Sequence, residues 1–165
     1  MKLSPTYKMP FKRRRENKTD YKKRLKLLLA GKPRLVVRRS LKYMRAQIIE
    51  FDPKGDKTLV SASSQELKKL GWTFACDNVP AAYLTGLLIA KKAKEKNIKD
   101  VVLDMGLYRS TKGNRMYALA KGAVDGGLNV PVAEGMFPSK DRIVGKHIHE
   151  EMEKKFEEVK RAITG

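Results

Sequence analysis

Two stretches of this chain gather cations beside hydroxyl and aromatic groups, and neither contains a carboxylate. The first runs from Arg34 to Arg45 and carries Arg34, Arg38, Arg39, Ser40, Lys42, Tyr43 and Arg45. The second is the loop from Gly106 to Arg115, with Tyr108, Arg109, Ser110, Thr111, Lys112 and Arg115. A third cationic stretch opens the chain and includes Tyr7, Phe11, Lys12, Arg13, Arg14, Arg15, Lys18, Tyr21, Lys22 and Arg24. Guanidinium groups grip phosphate oxygens two at a time, and tyrosine or phenylalanine rings stack on unpaired bases. The chemistry on offer is capture of a polyanion that has bases to stack on, and irregular RNA suits it better than duplex DNA. No helix-turn-helix, zinc finger or basic zipper is recognisable.

Charge distribution points the same way. The formal net charge is +19, and residues 1–45 hold 17 Lys/Arg against only Glu16 and Asp20, which places +15 of the excess there. The remainder is nearly balanced. Such asymmetry is characteristic of nucleic-acid or anionic-surface binding. No apolar run reaches the length of a bilayer span, the N-terminus lacks a secretory apolar core, and the lone Cys76 fits a reducing compartment, so a cytoplasmic protein is expected.

Catalytic alternatives find less support. A two-metal nuclease needs several carboxylates converging from strand ends. The first strand candidate has none, while Asp104 and Asp125 each lack an acidic neighbour in their own motif and read as loop-closing or capping groups. His147 and His149, two apart on an expected helix, cannot share a metal. The Gly106–Gly113 loop matches neither the P-loop nor the dinucleotide fingerprint. A Mg²⁺-dependent nuclease remains the alternative function, with no cofactor and no small-molecule substrate on the leading reading. A membrane-surface protein would have only Tyr21, Leu25, Leu28 and Leu29 to insert.

The elements that must position these groups follow from periodicity and turn chemistry. β-Branched and apolar runs predict strands at 34–39, 45–51 and 57–62, with Asp52-Pro53-Lys54-Gly55-Asp56 as the second turn. The cationic stretch at 34–45 then forms the front edge of this meander. Residues 1–18 have no apolar periodicity and are expected to be disordered without a partner. Thr19 or Asp20 caps a short helix that ends before Gly31, with Tyr21, Leu25, Leu28 and Leu29 as its apolar stripe. A helical turn over 63–71, a helix capped by Asp77 or Asn78 and running to about Lys96, a strand at 101–103 and a helix from Asn114 to Asp125 come next. A last strand at 128–132 and a terminal helix with Ile148, Met152, Phe156, Val159 and Ile163 on one side complete the chain. The expected fold is α/β: a mixed five-stranded sheet, an antiparallel meander plus two βα units, between helices. Three regions are expected: a basic tail with its short helix (1–33), an α/β RNA-binding body (34–134), and a linker with the C-terminal amphipathic helix (135–165).

Several stretches in order also resemble the large-subunit ribosomal protein L-eighteen family in its archaeal/eukaryotic branch. They are Arg34 to Ser40, Ala46-Gln47-Ile48, Thr58 to Ser63, Ala82 to Ala90, Asp104 to Arg115, Lys121 to Leu128 and Phe137 to Gly145. The resemblance implies a ribonuclease H-like body without activity, a place in the central protuberance, and 5S rRNA as the principal partner. Contacts with large-subunit rRNA and with neighbouring large-subunit ribosomal proteins are implied as well. Gln47 joins the candidate RNA-binding residues on this basis.

Overall fold

A computed structural model describes residues 5–165; the first four residues of the expected tail lie outside the described residues. Residues 5–33, made of linker, turn and helix, precede the sheet. A single turn, α1 (Lys12–Arg15), stands where the sequence predicts no order, and the chain folds back so that the Phe11 and Tyr21 rings lie 5.2 Å apart. Arg13 Nε donates to Thr19 Oγ1 at 2.9 Å across this bend. Asp20 then caps α2 (Tyr21–Leu28), accepting from the backbone N–H groups of Lys22 and Lys23.

The meander forms as expected: β1 (Arg34–Arg39), β2 (Met44–Glu50) and β3 (Lys57–Ser63) pair antiparallel. A capping box, Ser63 with Glu66, starts the 3-10 turn Ser64–Leu70, and Gly71 ends it in the left-handed region. Asn78 caps α3 (Val79–Glu95), β4 (Val102–Asp104) follows, and Asn114 caps α4 (Arg115–Asp125). A short α5 (Lys140–Val144) leads to α6 (Glu151–Thr164).

Two corrections to the expected sheet matter for the site. The strand order is β3-β2-β1-β4, so β1 is an interior strand with β4 parallel beside it, and the cationic first strand is not an edge. The sheet also has four strands rather than five. Residues 128–132 make one parallel bridge, Asn129 with Asp100, and stop there, because Pro131 has no N–H with which to extend a ladder.

Alternation divides the sheet into two faces. Leu35, Val37, Met44, Ala46, Ile48, Val60 and Ala62 are buried and belong to the core that packs on α3. Helix α3 is buried along most of its length because α4 and α6 lie against it on its other sides. The α6 stripe is covered by this chain itself. Met152, Phe156, Val159 and Ile163 are all buried, with the Phe156 ring 5.6 Å from that of Tyr83. Ile148 is left out, half exposed, because the helix begins only at Glu151. His147 and His149 consequently sit in the turn before α6, where His149 Nδ1 accepts from the Glu151 N–H.

Helices α3 and α4 touch backbone to backbone at Gly86 and Gly122. A Cβ on Gly86 would fall inside contact distance of the Leu119 carbonyl oxygen, and one on Gly122 would meet the Tyr83 carbonyl. Alanine at either position is expected to force the helices apart and destabilise the fold by about 1–3 kcal/mol, as overpacked cores do. A thermal melt checks this, with a drop of roughly 2–4 °C for each kcal/mol. An unchanged midpoint would mean that the two backbones do not meet.

Candidate nucleic-acid interface

The sheet face turned away from α3 carries Arg34, Val36 and Arg38 from β1, Arg45, Gln47 and Ile49 from β2, and Asp104 from the end of β4. Two arginines stand opposite one another there, since Arg38 pairs in register with Arg45. Like charges in that position repel. The structure relieves half of the problem through Asp104. Its Oδ1 lies 3.3 Å from Arg38 NH2, its backbone oxygen accepts from Arg38 NH1 at 2.9 Å, and its Oδ2 lies 3.1 Å from Arg34 NH1. Arg34 NH2 continues to Asp56 Oδ2 at 2.6 Å, and Arg24 closes the chain on both Asp56 oxygens. The result is an alternating network, Arg24–Asp56–Arg34–Asp104–Arg38, that ties α2 and the β2–β3 turn to the sheet.

This network changes the roles of three candidates. Arg34 is 3% exposed, an internal group in the free chain. Arg24 and Arg38 are half-buried in ion pairs. Asp104 Oδ1 also accepts from the Gly106 N–H at 2.8 Å, which turns the chain into the 106–115 loop with Gly106 at φ +62°. A side chain at Gly106 would press on the Arg38 guanidinium.

Burial works against the charged form of Asp56, but hydrogen bonds from Arg24 and Arg34 overcome it and hold the carboxyl below its ordinary value of 3.8. Folding stability from this group is therefore present above pH 3.8 and is lost as the pH falls through the lowered folded value. The melting temperature of wild type should exceed that of Asp56→Asn at neutral pH, and the gap should close on acidification below about pH 4. A gap independent of pH would place the stabilisation elsewhere.

The 106–115 loop is the meeting point of the three cationic segments. Tyr108 donates its hydroxyl to the Arg39 backbone oxygen at 2.9 Å, and the Arg39 guanidinium lies 5.1 Å above the Tyr108 ring. A cleft beside them is lined by Arg39, Tyr108, Arg109, Thr111, Asn114 and Arg115. On the other side, Lys23 Nζ donates to the Gly106 backbone oxygen at 3.0 Å, and Arg14, Tyr21 and Lys22 share a second cleft with Leu107. Lys23 and Leu107 were not among the candidates. The Lys23 bond spans 83 positions in the chain, and a contact over that distance leaves no sequence signal.

Several candidates in the loop and hairpin have partners within the chain. Arg115 donates to the backbone oxygen and to Oδ2 of Asp77, fastening the start of α4 to the start of α3. Ser110 Oγ is 2.6 Å from the Tyr117 hydroxyl, and Thr111 Oγ1 accepts from Asn114. Ser40 builds the hairpin turn, its Oγ accepting from the Tyr43 N–H at 3.0 Å, while Lys68 lies 5.9 Å above the Tyr43 ring. Gln47 is half-buried on the outer face. Lys18 pairs with Glu16, Tyr7 and Phe11 are exposed, and Tyr21 is half-buried. By contrast, Lys12, Arg14, Arg15, Lys22, Arg39, Lys42, Arg45, Arg109 and Lys112 form no ion pair with a carboxylate among the described residues.

The residues weighed for chemistry are otherwise engaged. Asp104 is held by two arginines, and Asp125 accepts from the Tyr83 hydroxyl and pairs with Lys121. Burial raises the Cys76 thiol pKa, with the nearby Asp77 charge adding to it and Lys68 opposing, so the thiol is held away from its reactive thiolate form. Among the described residues no group of three His, Cys, Asp or Glu side chains is placed to hold a metal ion, and no helix is long and apolar enough to cross a membrane.

Comparison with known proteins agrees with this architecture. The chain matches the family described as ribosomal large subunit proteins 60S L5 and 50S L18 over residues 5–100 and 92–133. It is 49% identical over 148 residues to the large ribosomal subunit protein uL18 of Methanococcus maripaludis, covering 90% of this chain and 77% of that relative. The match takes in the meander, the Asp104–Arg115 loop and helices α3 and α4. On that evidence the chain belongs to the family of large-subunit ribosomal proteins that comprises 60S L5 and 50S L18.

Proposed function

We propose that this protein is a structural, non-catalytic constituent of the large ribosomal subunit on the cytoplasmic ribosome, and that it binds 5S rRNA and helps attach it to the large rRNA. The observation that carries the proposal is the gathering of unpaired cations on the two sides of the 106–115 loop, from the tail beside Leu107 and from hairpin and loop beside Tyr108, while the carboxylates of the same face are consumed by Arg24, Arg34 and Arg38. A surface arranged in this way lacks its counter-ions until a polyanion supplies them. Arg39, Lys42, Arg45, Arg109 and Lys112 are the principal phosphate contacts on this reading. Tyr7, Phe11 and Tyr43 offer rings for unpaired bases. The meander followed by a parallel βα unit supports a ribonuclease H-like body that has lost its last strand.

The nuclease alternative has no such support, because Asp104 cannot serve a metal while two guanidinium groups occupy its oxygens. Binding to 5S rRNA and to a scrambled RNA of equal length, compared at about 150 mM salt, tests the proposal. Marked preference for 5S rRNA is expected, and equal affinity for both would defeat the specific claim.

A further inference from the structure

Helix α2 sits the wrong way round for an ordinary surface helix. Its polar side faces the domain: Lys23 reaches Gly106, Arg24 reaches Asp56, and Leu27 is the apolar group placed with them over Val36 and Ile49. Two of the leucines, Leu25 within the helix and Leu29 at its C-cap, face out, 60% and 77% exposed. The polar anchors fix that rotation, so the helix cannot roll to bury them. On the same outer side stand Lys22 and Lys26, which make no ion pair among the described residues.

We infer that the outer face of α2 is a docking surface for an acidic amphipathic helix of a second protein. Leucines gain by meeting apolar side chains, whereas the sugar-phosphate surface of RNA offers them little, and bases stack on planar rings in preference to aliphatic ones. Lysines at both turns then require carboxylates around the partner's apolar centre, the helix-in-groove arrangement with a charged rim. A second copy of this chain does not fit. Its acidic helix, α6, already buries Met152, Phe156, Val159 and Ile163 against its own α3.

Leu25 and Leu29 line neither cleft of the cationic surface, whereas Lys22 borders the one beside Leu107, so the leucines are the residues that separate the two readings. Two measurements on the full chain test the inference. The double variant Leu25→Glu, Leu29→Glu should keep its melting temperature and its 5S rRNA affinity within about twofold, because both side chains already face water. A photoreactive phenylalanine analogue replacing Leu29, irradiated in cells, should cross-link to one protein at an acid-rich amphipathic segment. A synthetic peptide of that segment should bind wild type at least about tenfold more tightly than the double variant. Cross-linking to RNA alone, to a second copy or to nothing, capture of the chain by anionic vesicles through these leucines, or a large fall in melting temperature would overturn it. If wild type shows no preference for 5S rRNA but the peptide result holds, the RNA reading fails and the docking surface stands.

Discussion

Asp104→Ala is expected to cost about 3–5 kcal/mol of folding stability, because it leaves a buried guanidinium without its counter-charge. Arg34 is 3% exposed and Asp104 6%, so water cannot replace the lost contact. Arg34 Nε already has no hydrogen-bond partner, which leaves the group dependent on Asp104 and Asp56. The same carboxylate turns the chain at Gly106 and neutralises Arg38 opposite Arg45, so its removal also loosens the loop and restores a like-charge pair on the outer face. A urea titration measures the loss as a shift in midpoint at unchanged slope. Asp104→Ala and Asp56→Ala should be strongly non-additive, since both act through Arg34. A loss below about 1 kcal/mol would show the network to be no more than a surface ion pair.

Replacing Arg39, Lys42, Arg45, Arg109 and Lys112 together by alanine is expected to weaken 5S rRNA binding by about a thousandfold. The figure follows from somewhat under about 1 kcal/mol for each exposed charge contact and a factor of ten for every 1.4 kcal/mol. The slope of log affinity against log salt should become shallower by roughly 4, because five fewer counter-ions are released from the RNA. The fold should survive, since none of the five pairs with a carboxylate among the described residues and the Tyr108 ring stays bonded to the backbone oxygen of Arg39. Replacing Arg24, Arg34 and Arg38 instead should lower stability first. A five-fold variant with wild-type affinity and an unchanged melt would remove the hairpin and loop from the interface.

Local structure was legible wherever one short-range preference dominated. Asp20, Asn78 and Asn114 cap their helices through side-chain bonds reaching two or three residues, and Gly71 closes its turn where a left-handed residue is needed. Pro131 explains the missing fifth strand and was visible in the sequence, yet an apolar run with valines at its end still reads as a strand until the neighbour's three-residue length is known. The cationic composition of the site was equally visible. The burial of Arg34 was not legible, because one type of side chain serves both as phosphate ligand and as buried counter-ion, and nothing local tells them apart.

Composition and spacing by themselves determined that this is an α/β protein with a polycationic front, the caps and turns of most of its elements, and three segments suited to RNA. Those properties depend on interactions within a few residues or on summed charge. Only the tertiary structure decided that β1 is interior, that Arg34 and Arg38 are neutralised by the Asp104 carboxylate, 70 and 66 positions away in the chain, that the α6 stripe is covered at home, and that Leu25 and Leu29 are not. Each of these turns on which distant groups share a face, and pairing across such separations is set by packing of the whole chain and leaves no periodic mark in any one stretch of it.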